Sequence, residues 1–561
     1  MGARPIDAEA TGLAPEDVLD AWLGDGGKLS ERLERFEYRP QQLQMAQAVL
    51  KALAREQALI VEAGTGTGKT LAYLLPALLS GKRVLISTGT KALQEQLFTK
   101  DIPTLRAHFD RPFEAALLKG RRNYLCLSRM SEMMLHPRFR GHQDSKHWPN
   151  IMEWARDTEL GDRAEVPGLP DDYATWADLS VSSEACKGSK CKFYESCFVT
   201  KARGRAHEAD VVVVNHHLFF ADLALRHTGY GEILPEFDAV IFDEAHHLEE
   251  VASNYFGVQV STYRIAELSQ DIRRAMLSEG VTDEDVEGEL KAVGAYGTSL
   301  FTLLSFGQYD ARVPLKQILR GAQASKIEEA HQKLARSLTA LERALKRFAG
   351  SSELSERMAE RAGLLKFDVD ALLSADDERF IYIVEIKDRA VFLQAAPIDL
   401  AELFRTRLLE HHRALVFTSA TLSTGGGFEY FKERLGMSPM TRREQGATEA
   451  YPVEELMLGH VFDYERQSLL YVPKKLPPPN APQFLDGVVQ IVEYLVGITG
   501  GRAFVLCTSW ANMNAVYEQL HDRLGVAVFK QGERPKAELL QEFRDEPTSV
   551  LFATSSFWEG V

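Results

Sequence analysis

The run from Ala63 to Thr70 reads AGTGTGKT: Ala63, Gly64, Thr65, Gly66, Thr67, Gly68, Lys69, Thr70. Glycines at alternate places let backbone N–H groups approach phosphate oxygens, because no Cβ intervenes. Lys69 is then placed for the β- and γ-phosphates and the Thr70 hydroxyl for Mg2+, as in a P-loop. The strict pattern begins with glycine, where this chain has Ala63. A second run, VIFDEAHHL, puts Asp243 at the end of an apolar strand and Glu244 next to it. Asp243 can reach the same metal, and Glu244 can orient and deprotonate an attacking water. Together the two runs point to hydrolysis of a nucleoside triphosphate.

Cysteines form the other concentration of reactive groups. Only five occur in 561 residues, and three fall in CKGSKCKFYESC: Cys186, Cys191 and Cys197, with Cys126 upstream. So few cysteines in so long a chain form no disulfide framework and favour a reducing cytosol. Four residues separate Cys186 from Cys191 and five separate Cys191 from Cys197, looser than the pairs of a zinc ribbon. Spacing alone leaves zinc and iron–sulfur both open. Cys507 lies in a strand pattern and stands apart from the other four. Lys119, Arg121, Arg122, Lys187, Lys190, Lys192, Lys201, Arg203 and Arg205 surround these cysteines in a chain of net charge −15. This is a local basic patch suited to nucleic-acid phosphates. Tyr124, Phe193, Tyr194 and Phe198 offer base-stacking faces, although packing within a small domain is the simpler reading of each.

The elements that must hold these groups repeat one design. Short runs rich in Val, Ile and Phe recur at Ala58–Val61, Val84–Ile86, Asp210–Phe220, Asp238–His246, Arg413–Leu422, Arg502–Trp510 and Ser549–Ser556, alternating with helical segments. The pattern predicts an α/β fold with parallel sheets covered on both faces. Residues near 109–205 show little periodicity, whereas residues near 263–373 are helical in texture. There Leu334, Leu338, Leu341 and Leu345 form a stripe best read as core. RFIYIVEIKDRAVFLQAAPI predicts a hairpin turning near Lys387–Arg389, and KKLPPPNAP a surface linker. No apolar run approaches the roughly 18 residues of a membrane helix, and no export signal is visible.

AGTGTGKT, DEAH and TSATL (Thr418–Leu422), in that order, resemble motifs I, II and III of superfamily 2 helicases. RPQQ resembles the upstream adenine-contacting segment, with Arg39 and Gln42 beside the base. STGTKALQEQL resembles motif Ia, which implies DNA-backbone contacts at Thr88 and Thr90. LCTSW and ATSSFWEGV resemble motifs IV and V, which adds Thr508 and Ser509 as DNA contacts. With KGRRNYLC and VVVVNHHLF, the chain resembles the XPD-like iron–sulfur helicases and, within them, the DinG/YoaA branch of bacteria. The resemblance implies two RecA-like P-loop motor domains, the second incomplete, with an inserted iron–sulfur domain and an inserted, mainly helical arch domain.

The expected boundaries are residues 1–108, 206–258 and 396–440 for motor domain 1, 109–205 for the iron–sulfur domain, 259–395 for the arch and 441–561 for motor domain 2. The resemblance implies a [4Fe–4S] cluster on Cys126, Cys186, Cys191 and Cys197, with ATP as substrate and Mg2+ at Thr70 and Asp243. It also implies a monomer that unwinds DNA 5′ to 3′ from single-stranded tails and junctions in repair or replication stress. Arg121 and Arg122 join the DNA path, and Asn215 is either a DNA contact or a helix cap. His246, Ser419 and Thr421 are expected to couple nucleotide state to DNA grip.

The sequence stops at Val561 without the QxxGRxxR motif that supplies an arginine finger in such helicases, so a fragment with weak turnover is expected. A non-catalytic iron–sulfur DNA-binding redox sensor is the competing reading, against which stand the intact Lys69, Asp243 and Glu244. A nuclease is disfavoured, because only about 37 residues precede Tyr38.

Overall fold

The structure is a computed structural model that describes residues 15–33, 36–141, 144–170, 173–183, 185–226, 233–305, 311–348, 353–387, 390–442, 446–479, 481–534 and 536–558. The chain divides into two compact units. One comprises Met1–Gly89 and Asp210–Gly459, the other Thr90–Ala209 and His460–Val561.

The first unit is built on parallel strands in the order Val453–Met457, Ala58–Glu62, Ala414–Ser419, Ala239–Asp243, Val84–Thr88, Val211–Asn215. All of these but Val453–Met457 are apolar and almost wholly buried, as strands covered on both faces must be. The TSATL strand lies between the P-loop strand and the DEAH strand, with Val61 opposite Thr418 and Thr418 opposite Asp243. This order brings Lys69 and Asp243 to neighbouring places at the carboxyl ends of the strands, where open α/β sheets hold ligands.

Strand Val453–Met457 corrects the expected boundary at residue 440. It pairs in parallel with Ala58–Glu62 and therefore completes the first sheet. Its sequence, VEELM, is half exposed, as an edge strand allows.

An antiparallel sheet in the order Val258–Ser261, Ala390–Pro397, Phe380–Lys387, Ala311–Pro314 accompanies the helices of the expected arch. The hairpin pairs Lys387 with Ala390, and its turn at Asp388 and Arg389 lies outside the described residues. Helix Ala324–Lys346 buries Leu334, Leu338, Leu341 and Leu345 against helices Glu284–Ser305 and Glu353–Ser374, so the stripe is core.

In the second unit, residues 460–558 form a smaller parallel sheet in the order Ala503–Leu506, Val550–Ala553, Val528–Lys530, with helices Phe484–Thr499, Trp510–Leu520 and Lys536–Asp545. Residues 90–209 consist of short helices joined by turns and the short strand Ala115–Leu117. Among the described residues no helix is long and apolar enough to cross a membrane.

Candidate functional site

The P-loop leaves strand Ala58–Glu62 and enters helix Lys69–Leu79. Gly66 and Gly68 take φ of 84° and 79°, which only glycine adopts without strain. Ala63 is not among the residues with positive φ, so an alanine Cβ is tolerated where the strict motif has glycine. Its N–H donates to the Ser419 carbonyl at 3.0 Å and ties the loop to the TSATL strand. The Gln42 amide donates to the Gly68 carbonyl at 3.0 Å, and a Cβ on Gly68 would fall 2.2 Å from that nitrogen. Arg39 donates to the Gly66 carbonyl, and Thr67 to the Gly64 carbonyl at 2.7 Å. Beside the loop Leu33, Phe36, Arg39, Gln42 and Leu71 line a pocket of about 490 Å³. Leu33, Phe36 and Leu71 give it apolar walls, with Arg32, Glu37, Arg39 and the Gln42 amide as its polar lining, a mixture that can take a planar base. Thr65 is exposed and Thr70 half-buried.

Lys69 Nζ lies 3.3 Å from the Ala63 carbonyl and 4.0 Å from Glu244 Oε1. Asp243 is buried and accepts from the Tyr73 hydroxyl at 3.0 Å and from the Glu244 N–H at 3.1 Å. Burial, with the Glu244 charge behind it, pushes the Asp243 carboxyl up to about 7, against the pull of Lys69 and Tyr73. Glu244 itself takes φ of 56°, a left-handed conformation that neighbours must hold in place. Ser419 donates to Glu244 Oε2 at 3.0 Å. With its proton so committed, Ser419 Oγ accepts from His246 Nδ1 at 2.8 Å, and His246 stands 3.5 Å from Glu244. The Thr421 N–H points to Ser419 Oγ at 3.4 Å while its side chain is exposed. Glu62 accepts from the Leu422 and Ser423 N–H groups, both at 2.6 Å, and so fixes the turn after TSATL. Lys69, Glu244, Ser419 and His246 thus form one polar network, with Asp243 adjoining.

The candidate DNA contacts are placed less uniformly. Thr88 is fully buried. Thr90 accepts from the Leu93 N–H at 3.2 Å and Ser509 from the Asn512 N–H at 3.2 Å, so both are helix caps. Asn215 is buried and accepts from the Leu218 N–H at 2.9 Å, which is the capping alternative. Thr508 and Arg122 are exposed. In the basic patch Lys187, Lys190, Lys192, Lys201 and Arg205 are exposed, but Lys119 is not part of it. Its ammonium is buried between Glu95 at 2.5 Å and Asp162 at 2.6 Å. Tyr124 and Phe198 are core, whereas Tyr194 is exposed.

None of the five cysteines is in a disulfide. Cys126 and Cys197 precede helices Leu127–Leu135 and Phe198–Glu208. Consecutive turns join Gly188 to Cys191, Cys191 to Tyr194 and Tyr194 to Cys197. Cys186 Sγ accepts from Arg121 at 2.9 Å and from the Gly188 N–H at 3.4 Å. Cys126 and Cys186 are near enough for their charges to interact. Among the described residues no three metal-binding side chains converge. The donor chemistry therefore fits a thiolate-held cluster, with N–H groups aimed at sulfur, but the described geometry does not gather the thiols.

Residues 39–110 match the DEAD/DEAH box helicase family and residues 492–561 the helicase C-terminal domain family. The ATP-dependent DNA helicase YoaA of Haemophilus influenzae is 36% identical over 542 residues, covering 95% of this chain and 81% of that protein. The ATP-dependent helicase DinG of Mycobacterium tuberculosis is 30% identical over 549 residues, covering 93% and 78%. A solved structure titled XPD_Helicase aligns over 93% of this chain and 81% of its own, at TM-score 0.46 and 13% identity.

The chain belongs to the YoaA/DinG helicase family. In this YoaA/DinG helicase three site residues escaped the sequence reading: Tyr73, His216 and Glu62. Tyr73 lies in KTLAYLLPALL and reads as one more apolar helix residue. His216 follows the strand VVVVN; its Nδ1 lies 2.6 Å from Ser87 Oγ and its Nε2 3.4 Å from the Glu244 carbonyl. Burial is the main cause that pushes the His216 imidazole down to about 3. The only signal was a polar residue directly after a parallel strand, where a sheet of this order places its ligand-facing turns.

Proposed function

We propose that this chain is an ATP-dependent DNA helicase whose hydrolytic site is built from Lys69, Thr70, Asp243, Glu244, His246 and Ser419. The observation that carries the reading is the network joining Lys69, Glu244, Ser419 and His246 next to the buried Asp243. Gln42 and Arg39 stand beside the pocket that takes the adenine, and the P-loop N–H groups and Lys69 take the phosphates. Thr70 and Asp243 would hold a Mg2+ ion, which would supply charge neutralisation at the phosphates. Glu244, oriented by Ser419 and His246, positions a water on the far side of the γ-phosphoryl group and accepts its proton. Arg121, Arg122, Thr508 and the exposed lysines around the cysteines take the phosphates of single-stranded DNA, Thr90, Asn215 and Ser509 act through the helix starts they cap, and the buried Thr88 acts through its backbone.

Turnover of ATP with and without single-stranded DNA, in the chain and in Lys69→Ala, tests the reading. Loss of all turnover in the variant with nucleic-acid binding retained is the expected outcome. An unchanged output would favour the redox sensor.

The finer reading assigns residues 109–205 as a domain that holds a [4Fe–4S] cluster on Cys126, Cys186, Cys191 and Cys197, and residues 259–395 as an arch. Four unbridged thiols in a turn-rich, basic segment support it. Iron and acid-labile sulfide of about four each per chain are expected after anaerobic purification. Zinc without sulfide would withdraw the cluster while leaving the ATPase. Movement 5′ to 3′, preference for single-strand/duplex junctions, a monomeric state, a bacterial cytosolic setting and a role in repair belong to the same reading and rest on family resemblance.

A further inference from the structure

Strands Val84–Thr88 and Ala239–Asp243 are neighbours in the sheet, and one buried imidazole joins Ser87, near the end of the first, to Glu244, just beyond the second. The Glu244 carbonyl can only accept, so His216 Nε2, 3.4 Å away, carries the ring proton. Nδ1 is then bare and accepts from the Ser87 hydroxyl at 2.6 Å. Both His216 and Ser87 are fully buried, so water does not replace either bond. Gly89 closes the same gap from the other side. A Cβ there would stand 2.8 Å from His247 Cδ2 and 3.2 Å from Glu244 Cβ. The left-handed backbone of Glu244, at φ 56°, persists because its surroundings over-determine it, and the His216 bond to its carbonyl and the close approach of Gly89 are among those surroundings.

We propose that His216 is a positioning residue that makes the hydrolytic carboxylate of Glu244 answer to the Ser87–Gly89 strand end, where the DNA-contacting segment begins. The inference rests on the proposed function, since it takes Glu244 as the water-activating group and this strand end as part of the DNA path. Thr88 is buried, so a DNA strand at this turn bears on backbone rather than on that side chain. A shift of the turn moves Ser87, Ser87 moves His216, and His216 moves the Glu244 carbonyl. ATP binding belongs to the P-loop and does not use this path. Its loss should therefore lower kcat and leave KM for ATP in place.

The test uses the full chain with His216→Phe, which keeps the ring volume without the bonds, His216→Gln, which keeps a donor for the Glu244 carbonyl, Ser87→Ala, and His216→Phe combined with Ser87→Ala. In His216→Phe, which loses both bonds, the stimulation of ATP turnover by single-stranded oligonucleotide should fall about tenfold, the effect of losing the one that reaches Glu244, with KM for ATP within about twofold. His216→Gln should recover part of the loss, and the double variant should be no worse than His216→Phe, because the two bonds form one path. Because ATP binding does not use this path, the change in oligonucleotide Kd caused by a non-hydrolysable ATP analogue should persist in His216→Phe. Full stimulation in that variant, or an additive double variant, overturns the inference alone. A wild-type chain whose turnover ignores DNA overturns the functional reading and the inference with it. Should His216→Phe fail to fold, Ser87→Ala carries the same comparison.

Discussion

Asp243 sits in the sheet with its charged form disfavoured by burial, and the Tyr73 hydroxyl at 3.0 Å is one of the groups that favour it. A hydrogen bond to a charged group contributes roughly 1.5–3 kcal/mol. Tyr73→Phe removes that donor while keeping the ring. The half-saturating Mg2+ concentration for ATP turnover should therefore rise about tenfold or more, with little change in folding. A Mg2+ titration of turnover checks it, and an unshifted midpoint would mean that Tyr73 only packs. Tyr73 was illegible in the sequence because its partner lies far along the chain, on a strand two places away in the sheet order. Ala63 shows the opposite case. It departs from the strict glycine, and ordinary φ at that place makes the departure harmless. Lys119 misled for a related reason: its neighbours in sequence are basic, but its neighbours in space are Glu95 and Asp162.

Helices and strands were more legible than single contacts, because a buried face repeats its signal over many residues. The leucine stripe of helix Ala324–Lys346 is such a face, and Leu338 within it is wholly buried. Leu338→Ala leaves a cavity and should cost about 2–5 kcal/mol, read as a lower denaturant midpoint with KM for ATP unchanged. The edge strand Val453–Met457 was missed because one covered face leaves alternate residues polar, which reads as loop. His412 lies just before the strand Ala414–Ser419, with its ring stacked on Phe237 at 4.9 Å. Burial, and then the charge of Arg226, pushes its imidazole down to about 4. The unfolded chain takes up this proton near pH 6.5 and the folded chain only near 4, so stability is lost as pH falls through that window. Unfolding by urea at pH 7 and pH 5 should show His412→Phe less acid-sensitive than wild type, by up to about 2 kcal/mol. Equal sensitivity in both would show that other groups set the acid limb.

At the scale of the molecule the net charge of −15 repels nucleic acid, so affinity must come from a few cations placed where that field is locally reversed. The segment around the cysteines supplies them, since Lys187, Lys190, Lys192, Lys201 and Arg205 are all exposed there. Each cation that neutralises a phosphate of a single strand releases about 0.7 counterion. Replacing Lys190 and Lys192 together by alanine should weaken oligonucleotide binding alike for all base sequences. The slope of log K against log salt should become shallower by about 1.4. Lys119→Ala is the contrasting variant. Its ammonium faces two carboxylates and no solvent, so its removal should leave the salt slope unchanged. It leaves Glu95 and the buried Asp162 without their cation, a change that costs about 3–5 kcal/mol in such pairs. Thermal unfolding and salt titration of the two variants should thus move in opposite columns: slope without stability for the exposed pair, stability without slope for the buried lysine. If Lys119→Ala flattened the slope instead, the buried ion pair would have to open on DNA, and the basic patch would include the residue that the fold now removes from it.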